Sequence, residues 1–289
     1  MAEKLPPPVL NTAPLSPGLY VVATPIGNLR DITLRALDVL AGADLVLAED
    51  TRVTGKLLSA FGLSKPLERY DEHAAARARP KILAALAQGQ RVALVSDAGT
   101  PLISDPGFRL VREAVAQGSA VIPIPGPSAA ITALSAAGLP TDRFLFAGFP
   151  PHKSAGRRTL FAELAPVRAS LVFYEGASRL GACLADMAAV FGPREAVVGR
   201  ELTKLYETLT RGPLDVLAAD PALAAPKGEV VILVGPGEAQ PATEEETDAA
   251  LVEALTRAGP AEAASEVAQA LGLPRRELYR RALDLKGAR

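Results

Sequence analysis

The chain has 289 residues, enough for two domains at roughly 100–200 residues each. Hydrophobic residues make up 49% and charged residues 22%, which excludes a disordered chain. Lys and Arg number 31 against 32 Asp and Glu, a formal net charge of -1, so nucleic-acid binding would require local basic patches rather than an overall field.

Residues 1–16 are Pro-rich and lack an apolar signal-peptide core, which predicts a flexible lead-in. Short apolar, β-branched runs then recur at 19–23, 44–48, 92–96, 120–124, 144–148, 170–174, 196–199 and 229–234. Helical patterns fill most of the intervals. This alternation predicts α/β layering with largely parallel pairing in the first half. The PIPGP stretch at 123–127 divides two expected units, 17–122 and 123–236.

After the first run, ATPIGNLRD (23–31) forms a Gly-containing strand-to-helix turn, the place where α/β proteins hold ligands. Asp31 is the expected cap of the helix that follows. AEDTR brings Glu49, Asp50, Thr51 and Arg52 to the carboxyl end of the second run. Those residues fit either a capped helix start, with Asp50 or Thr51 as cap, or acid/base chemistry.

SDAGTPLISDPG (96–107) is a long Gly, Pro and Asp loop, whereas simple βα loops need only about 2–6 residues. Its small residues let main-chain groups approach a ligand, and Asp97 can take an ammonium or a ribose hydroxyl. Asp105 and Pro106 read as the cap and first residue of the next helix. PGPSAAITALSAAG (125–138) is a helix of small residues closed by Gly138.

GFPPHKSAGRR (148–158) carries Lys153, Arg157 and Arg158, a loop suited to phosphate contacts or simply a solvated face. FYEGASR and GRELTKLYE place Phe173, Tyr174, Glu175, Arg179, Arg200, Glu201, Lys204 and Glu207 after strands of the second unit. The single cysteine, Cys183, lies in an apolar helix and reads as a buried thiol; it excludes an internal disulfide and fits a cytoplasmic protein. His73 and His152 have no metal-ligand spacing, so no metal site is expected. No run approaches the roughly 20 apolar residues of a membrane span. Neither GxGxxG nor GxxxxGK[ST] occurs, which disfavours a Rossmann dinucleotide or P-loop site.

Residues 238–253 carry six acids and no base, and 274–289 carry six bases, among them Arg275, Arg276, Arg280 and Arg281. Three helical patterns fit 245–258, 260–271 and 274–285, an acidic hinge followed by a basic helical module over 237–289.

The segments YVVATPIGNLRDITLRAL, LAEDTR, ALVSDAGTPLISDPG, PIPGPSAAITALSAAGLP, GFPPHK, FYE, RELTK and KGEVVILV stand in one order and spacing. Together they resemble the bacterial 16S ribosomal RNA cytidine 2′-O-methyltransferases of the tetrapyrrole-methylase superfamily. The resemblance implies two α/β domains with a donor cleft between them, a small C-terminal helical module, a homodimer, and S-adenosylmethionine as methyl donor. It implies methylation of a decoding-centre cytidine in 16S rRNA, within the small subunit.

On that basis Pro25, Asp97, Ala98, Gly99, Thr100, Ser128, Ala129, Phe173 and Tyr174 are donor-pocket candidates. Glu49 and Asp50 lead as base or hydroxyl orienter, with Glu175 and Glu201 behind them, and Arg52, Arg179, Arg200 and Lys204 would bind flanking phosphates or hold those carboxylates. Lys153, Arg157, Arg158, Arg179, Arg275, Arg276, Arg280 and Arg281 are the expected RNA contacts. The rivals are a corrin or porphyrin C-methyltransferase and a non-catalytic ribosome-assembly factor.

Overall fold

The computed structural model describes residues 9–11, 13–237 and 243–287. Much of the expected lead-in (1–8 and 12), Glu238 of the acidic run and Arg289 of the basic run lie outside the described residues. The chain divides into two compact units, one reaching Gly237 and the other starting at Glu238.

The first unit contains two five-stranded sheets. The first sheet comprises β1 (Gly18–Val22), β2 (Leu45–Ala48), β3 (Leu67–Arg69), β4 (Arg91–Val95) and β5 (Val121–Ile124), in the order β3-β2-β4-β1-β5. All its pairs are parallel. Its inner strands are apolar on both faces because helices cover both. Along β4, Ala93 and Val95 face α1 (Leu34–Gly42) and α2 (Thr51–Ala60), while Val92 and Leu94 face α3 (Ala75–Ala87) and α4 (Phe108–Ala116).

The second sheet comprises β6 (Phe144–Gly148), β7 (Ser170–Gly176), β8 (Glu195–Arg200), β9 (Thr208–Pro213) and β10 (Glu229–Val234), in the order β6-β7-β10-β8-β9. Only β6 and β7 are parallel; the other pairs are antiparallel. One face packs on the small-residue helix α5 (Ala129–Ala137), through Ala130, Ala133 and Leu134. The other packs on α6 (Ser154–Leu164), α7 (Leu180–Phe191) and α8 (Leu214–Ala219). Cys183 is fully buried there, and burial pushes its thiol up to about 12, so it is inert packing.

Two helix starts differ from expectation. Asp31 lies in a 3-10 turn, and α1 is capped by Thr33, whose hydroxyl accepts from the Ala36 N–H at 3.1 Å. Thr33→Ala is therefore expected to cost about 1 kcal/mol in urea unfolding, an N-cap loss. α4 opens at Phe108 behind Gly107, with no side-chain cap, so Asp105 is not its cap.

The second unit packs α9 (Glu244–Leu255), α10 (Pro260–Leu271) and α11 (Arg275–Gly287) around Leu251, Ala254, Ala263, Ala264, Val267, Leu278 and Ala282. Thr243 and Glu246 close a capping box on α9, which explains a helix start inside the acidic run. Among the described residues no helix is long and apolar enough to cross a membrane.

Candidate active site

The carboxyl ends of β1, β2, β4 and β5 converge, as parallel sheets require of a ligand crevice. Their loops are fastened to one another by backbone. Thr24 N–H donates to the Gly99 carbonyl at 2.9 Å, and Gly99 N–H returns to the Thr24 carbonyl at 3.0 Å. The Thr100 hydroxyl donates to the Pro127 carbonyl at 3.0 Å. Gly99 has φ +85, and a Cβ there would stand 3.4 Å from Ile26 Cγ2, so glycine suits both the turn and the fit.

Between these loops and the second sheet lies a cleft of about 390 Å³, within the usual size of a small-molecule site. Asp97, Ala98, Gly99, Thr100, Ser128, Ala129 and Tyr174 line it, as do Glu49 and Glu175. The Tyr174 hydroxyl accepts from the Ala130 N–H at 3.2 Å, joining β7 to the start of α5. A bulge between Phe146 and Gly148 turns β6 outward, and Phe149 then lies over Tyr174 with ring centroids 5.6 Å apart.

Other candidates stand elsewhere. Pro25 is not in the lining; its neighbour Ile26 is. Phe173 alternates to the opposite face of β7 and is fully buried against Phe161, a core position. Asp50 caps α2, accepting from the Arg52 N–H at 2.8 Å, and its carboxylate grips the Arg52 guanidinium, whose side chain is otherwise exposed. Glu201 accepts from Lys204 at 2.9 Å and from the Glu229 N–H at 3.0 Å, fastening the rim formed by β8 and β10.

Arg157 is a correction to the expected phosphate contacts. It is buried, and its guanidinium donates to Asp186 at 2.8 Å and to the His152 carbonyl at 2.8 Å. Arg158 is more exposed but also donates to Asp186, at 2.7 Å. Arg179 pairs with the buried Glu175 and meets His152 Nδ1 at 2.7 Å. Lys153 is exposed. In the second unit Arg275, Arg276 and Arg280 are exposed on α11, and Arg281 is paired with Asp248 at 2.5 Å.

The charge of the cleft is one-sided. Glu49, Asp97, Asp105, Glu175 and Glu229 line it, and among the described residues no Lys, Arg or His does. Burial, then the nearby Asp105, Asp97, Asp71 and Asp50, raise the Glu49 carboxyl above its usual value. Asp105 belongs to this set and was assigned to capping from the sequence; the length of the 96–107 loop was the signal for it. Among the described residues no group of three His, Cys, Asp or Glu side chains is placed to share a metal.

Residues 18–218 match the model of the Tetrapyrrole (Corrin/Porphyrin) Methylases, and residues 241–286 match the RsmI C-terminal HTH domain. The chain is 52% identical over 275 residues to the ribosomal RNA small subunit methyltransferase I of Mesorhizobium japonicum, covering 94% of each. The chain belongs to the ribosomal RNA small subunit methyltransferase I family, a branch of the tetrapyrrole methylases. The Escherichia coli O157:H7 member of this family is 47% identical, covering 93% of this chain and 96% of its own. The fold of this family also matches the crystal structure of the methyltransferase CobJ, with TM-score 0.58 and 21% identity over 76% of this chain and 94% of that one.

Proposed function

We propose that this protein transfers a methyl group from S-adenosylmethionine to the ribose 2′-hydroxyl of a decoding-centre cytidine in 16S rRNA. It does so in the cytoplasm, as a homodimer, on the small ribosomal subunit. Two α/β domains divided near residue 123 hold the donor between them.

The observation that carries this reading is the cleft whose lining, among the described residues, holds five carboxylates and no cation, with Glu175 and Glu229 paired to Arg179 and Lys204 beyond the lining. Such a site repels the phosphates of a nucleotide cofactor and attracts a positive ligand. A sulfonium with an ammonium is such a ligand, so the donor set fits it. The apolar walls from Ile26, Leu202, Val230 and Val231 suit its uncharged parts. The similarity to small-subunit rRNA methyltransferases supports the substrate class.

When bound, the donor supplies an activated methyl group, and no metal is needed to activate it. Gly99 and the main chain around it hold the donor's place, and Glu49 orients the attacking hydroxyl. Alignment of that kind can supply about 7–11 kcal/mol of a barrier. Lys153, Arg158 and the arginines of α11 take phosphates outside the cleft.

The test is transfer of labelled methyl from S-adenosylmethionine to small subunits lacking the modification, with the product digested to nucleosides. 2′-O-Methylcytidine is the expected product. No transfer to subunits or to free 16S RNA, with donor still bound, would overturn the reading in favour of a tetrapyrrole substrate or an assembly role.

A further inference from the structure

Asp105 is a carboxylate without its expected duty. The helix it was assigned to begins three residues later and has no side-chain cap. The loop instead delivers Asp105 into the cleft lining. That loop is strained just before Asp105 and takes a backbone turn suited to glycine just after it. Leu102 and Ser104 have φ of 73° and 68°, unusual for residues with a Cβ. Gly107 has φ 139°, and a Cβ there would stand 2.9 Å from Leu94 Cδ2 and 3.3 Å from Leu102 Cγ. Strain of this kind persists only where the surrounding structure imposes it, and it gathers at functional sites.

The other cleft carboxylates are engaged. Asp97 Oδ1 accepts from the Asp50 N–H at 3.0 Å. Glu175 is paired with Arg179, and Glu229 accepts from Lys204 at 3.0 Å. Among the described residues Glu49 and Asp105 form no ion pair, and the 96–107 loop carries Asp105 into the cleft lining. We propose that Asp105 accepts the proton of the substrate hydroxyl, with Glu49 orienting that hydroxyl.

This rests on the methyl-transfer reading above. The substrate O–H bond breaks and its proton passes to a carboxylate oxygen of Asp105. The freed electron pair forms the bond from oxygen to the methyl carbon. The carbon–sulfur bond breaks, its pair stays on sulfur, and a neutral thioether leaves.

The groups facing Asp105 are Glu49 from the end of β2, Asp97 from its own loop and Tyr174 from β7, none of them cationic. Burial pushes the Asp105 carboxyl up to about 6; the Ser96 hydroxyl opposes that shift and Asp97 adds to it. A base is most effective with such a value near the working pH. A carboxyl raised in the folded state weakens the fold above that value and ceases to do so as pH falls. Replacing it with a neutral amide therefore does not weaken the fold at pH 8.

The experiment compares wild type, Asp105→Asn and Glu49→Gln in methyl transfer to unmodified small subunits, with donor Kd from calorimetry and melting at pH 8. Asp105→Asn is expected to lower kcat by about 10²–10⁴-fold at saturating donor, a loss that any weakening of donor Kd does not account for, with the melting midpoint equal or higher. In wild type and Glu49→Gln, kcat/KM falls on the acid side with a midpoint near 6; in Asp105→Asn that limb is absent. A wild-type rate, a persisting acid limb, or a kcat loss that follows lost donor binding in Asp105→Asn would overturn the proposal. Wild type that transfers nothing at all overturns the methyl-transfer reading itself.

Discussion

Glu49→Gln is expected to slow methyl transfer about 100-fold, the cost of a hydroxyl held slightly out of line. Glu49 follows the last residue of β2 and lines the cleft, where burial and four neighbouring Asp carboxylates raise its carboxyl. Gln keeps the shape and one acceptor but removes the negative charge from the cleft lining. Asp50→Asn is expected to cost far less, although the two residues are adjacent. The Asp50 carboxylate is already spent on the Arg52 N–H and guanidinium, and Asn also caps helices. Because the raised Glu49 carboxyl weakens the fold at neutral pH, the Gln variant should melt no lower than wild type. Single-turnover rates beside melting curves check both halves; equal losses from the two variants would sink the distinction.

Asp186→Ala is expected to destabilise the first unit by about 3–5 kcal/mol, because it strands a buried guanidinium. Asp186 and Arg157 are both nearly inaccessible, and the same carboxylate also accepts from Ser154 at 2.8 Å and from Arg158. Burial alone would push the Asp186 carboxyl up, but hydrogen bonds from Arg158, Ser154 and Arg157 outweigh it and hold it below the ordinary 3.8. Its contribution is therefore complete above 3.8 and is lost as pH falls through the lower folded-state value. Urea unfolding at neutral pH and again in acid measures the effect: the gap between wild type and variant should shrink in acid. Replacing both partners with apolar residues of similar volume should recover most of the loss.

How much of this was legible depends on what each residue contacts. The inner strands announced themselves because both of their faces are buried, which leaves an unbroken apolar run such as EVVILV of β10. β3 and β9 carry no such run. Both are sheet edges, one only three residues long and the other half-exposed and ending in Pro213, so burial asks little of their sequence. Cleft-lining loops were legible by their Gly and Pro content. Side-chain direction was not. Phe173 and Tyr174 are neighbours in sequence and lie on opposite faces of β7. Arg157 and Arg158 look alike in sequence, yet a helix turns one toward α7 and leaves the other partly in solvent. Asp-Pro-Gly is a strong helix-start signal, so the sequence points Asp105 to a cap, and only the strained loop geometry places it elsewhere.

The loop that follows β6 also bears on how binding free energy divides between partners. Pro150 and Pro151 stiffen it, the Arg157 guanidinium holds the His152 carbonyl from below, and Arg179 holds the His152 ring from the side. Phe149 and Lys153 are thus presented on a surface that loses little conformational freedom when it is engaged. In the proposed RNA complex the ordering cost of association then falls mainly on the RNA. A strand already folded has less freedom to lose than the same strand in solution, which supports the proposed preference for an assembled subunit over free RNA.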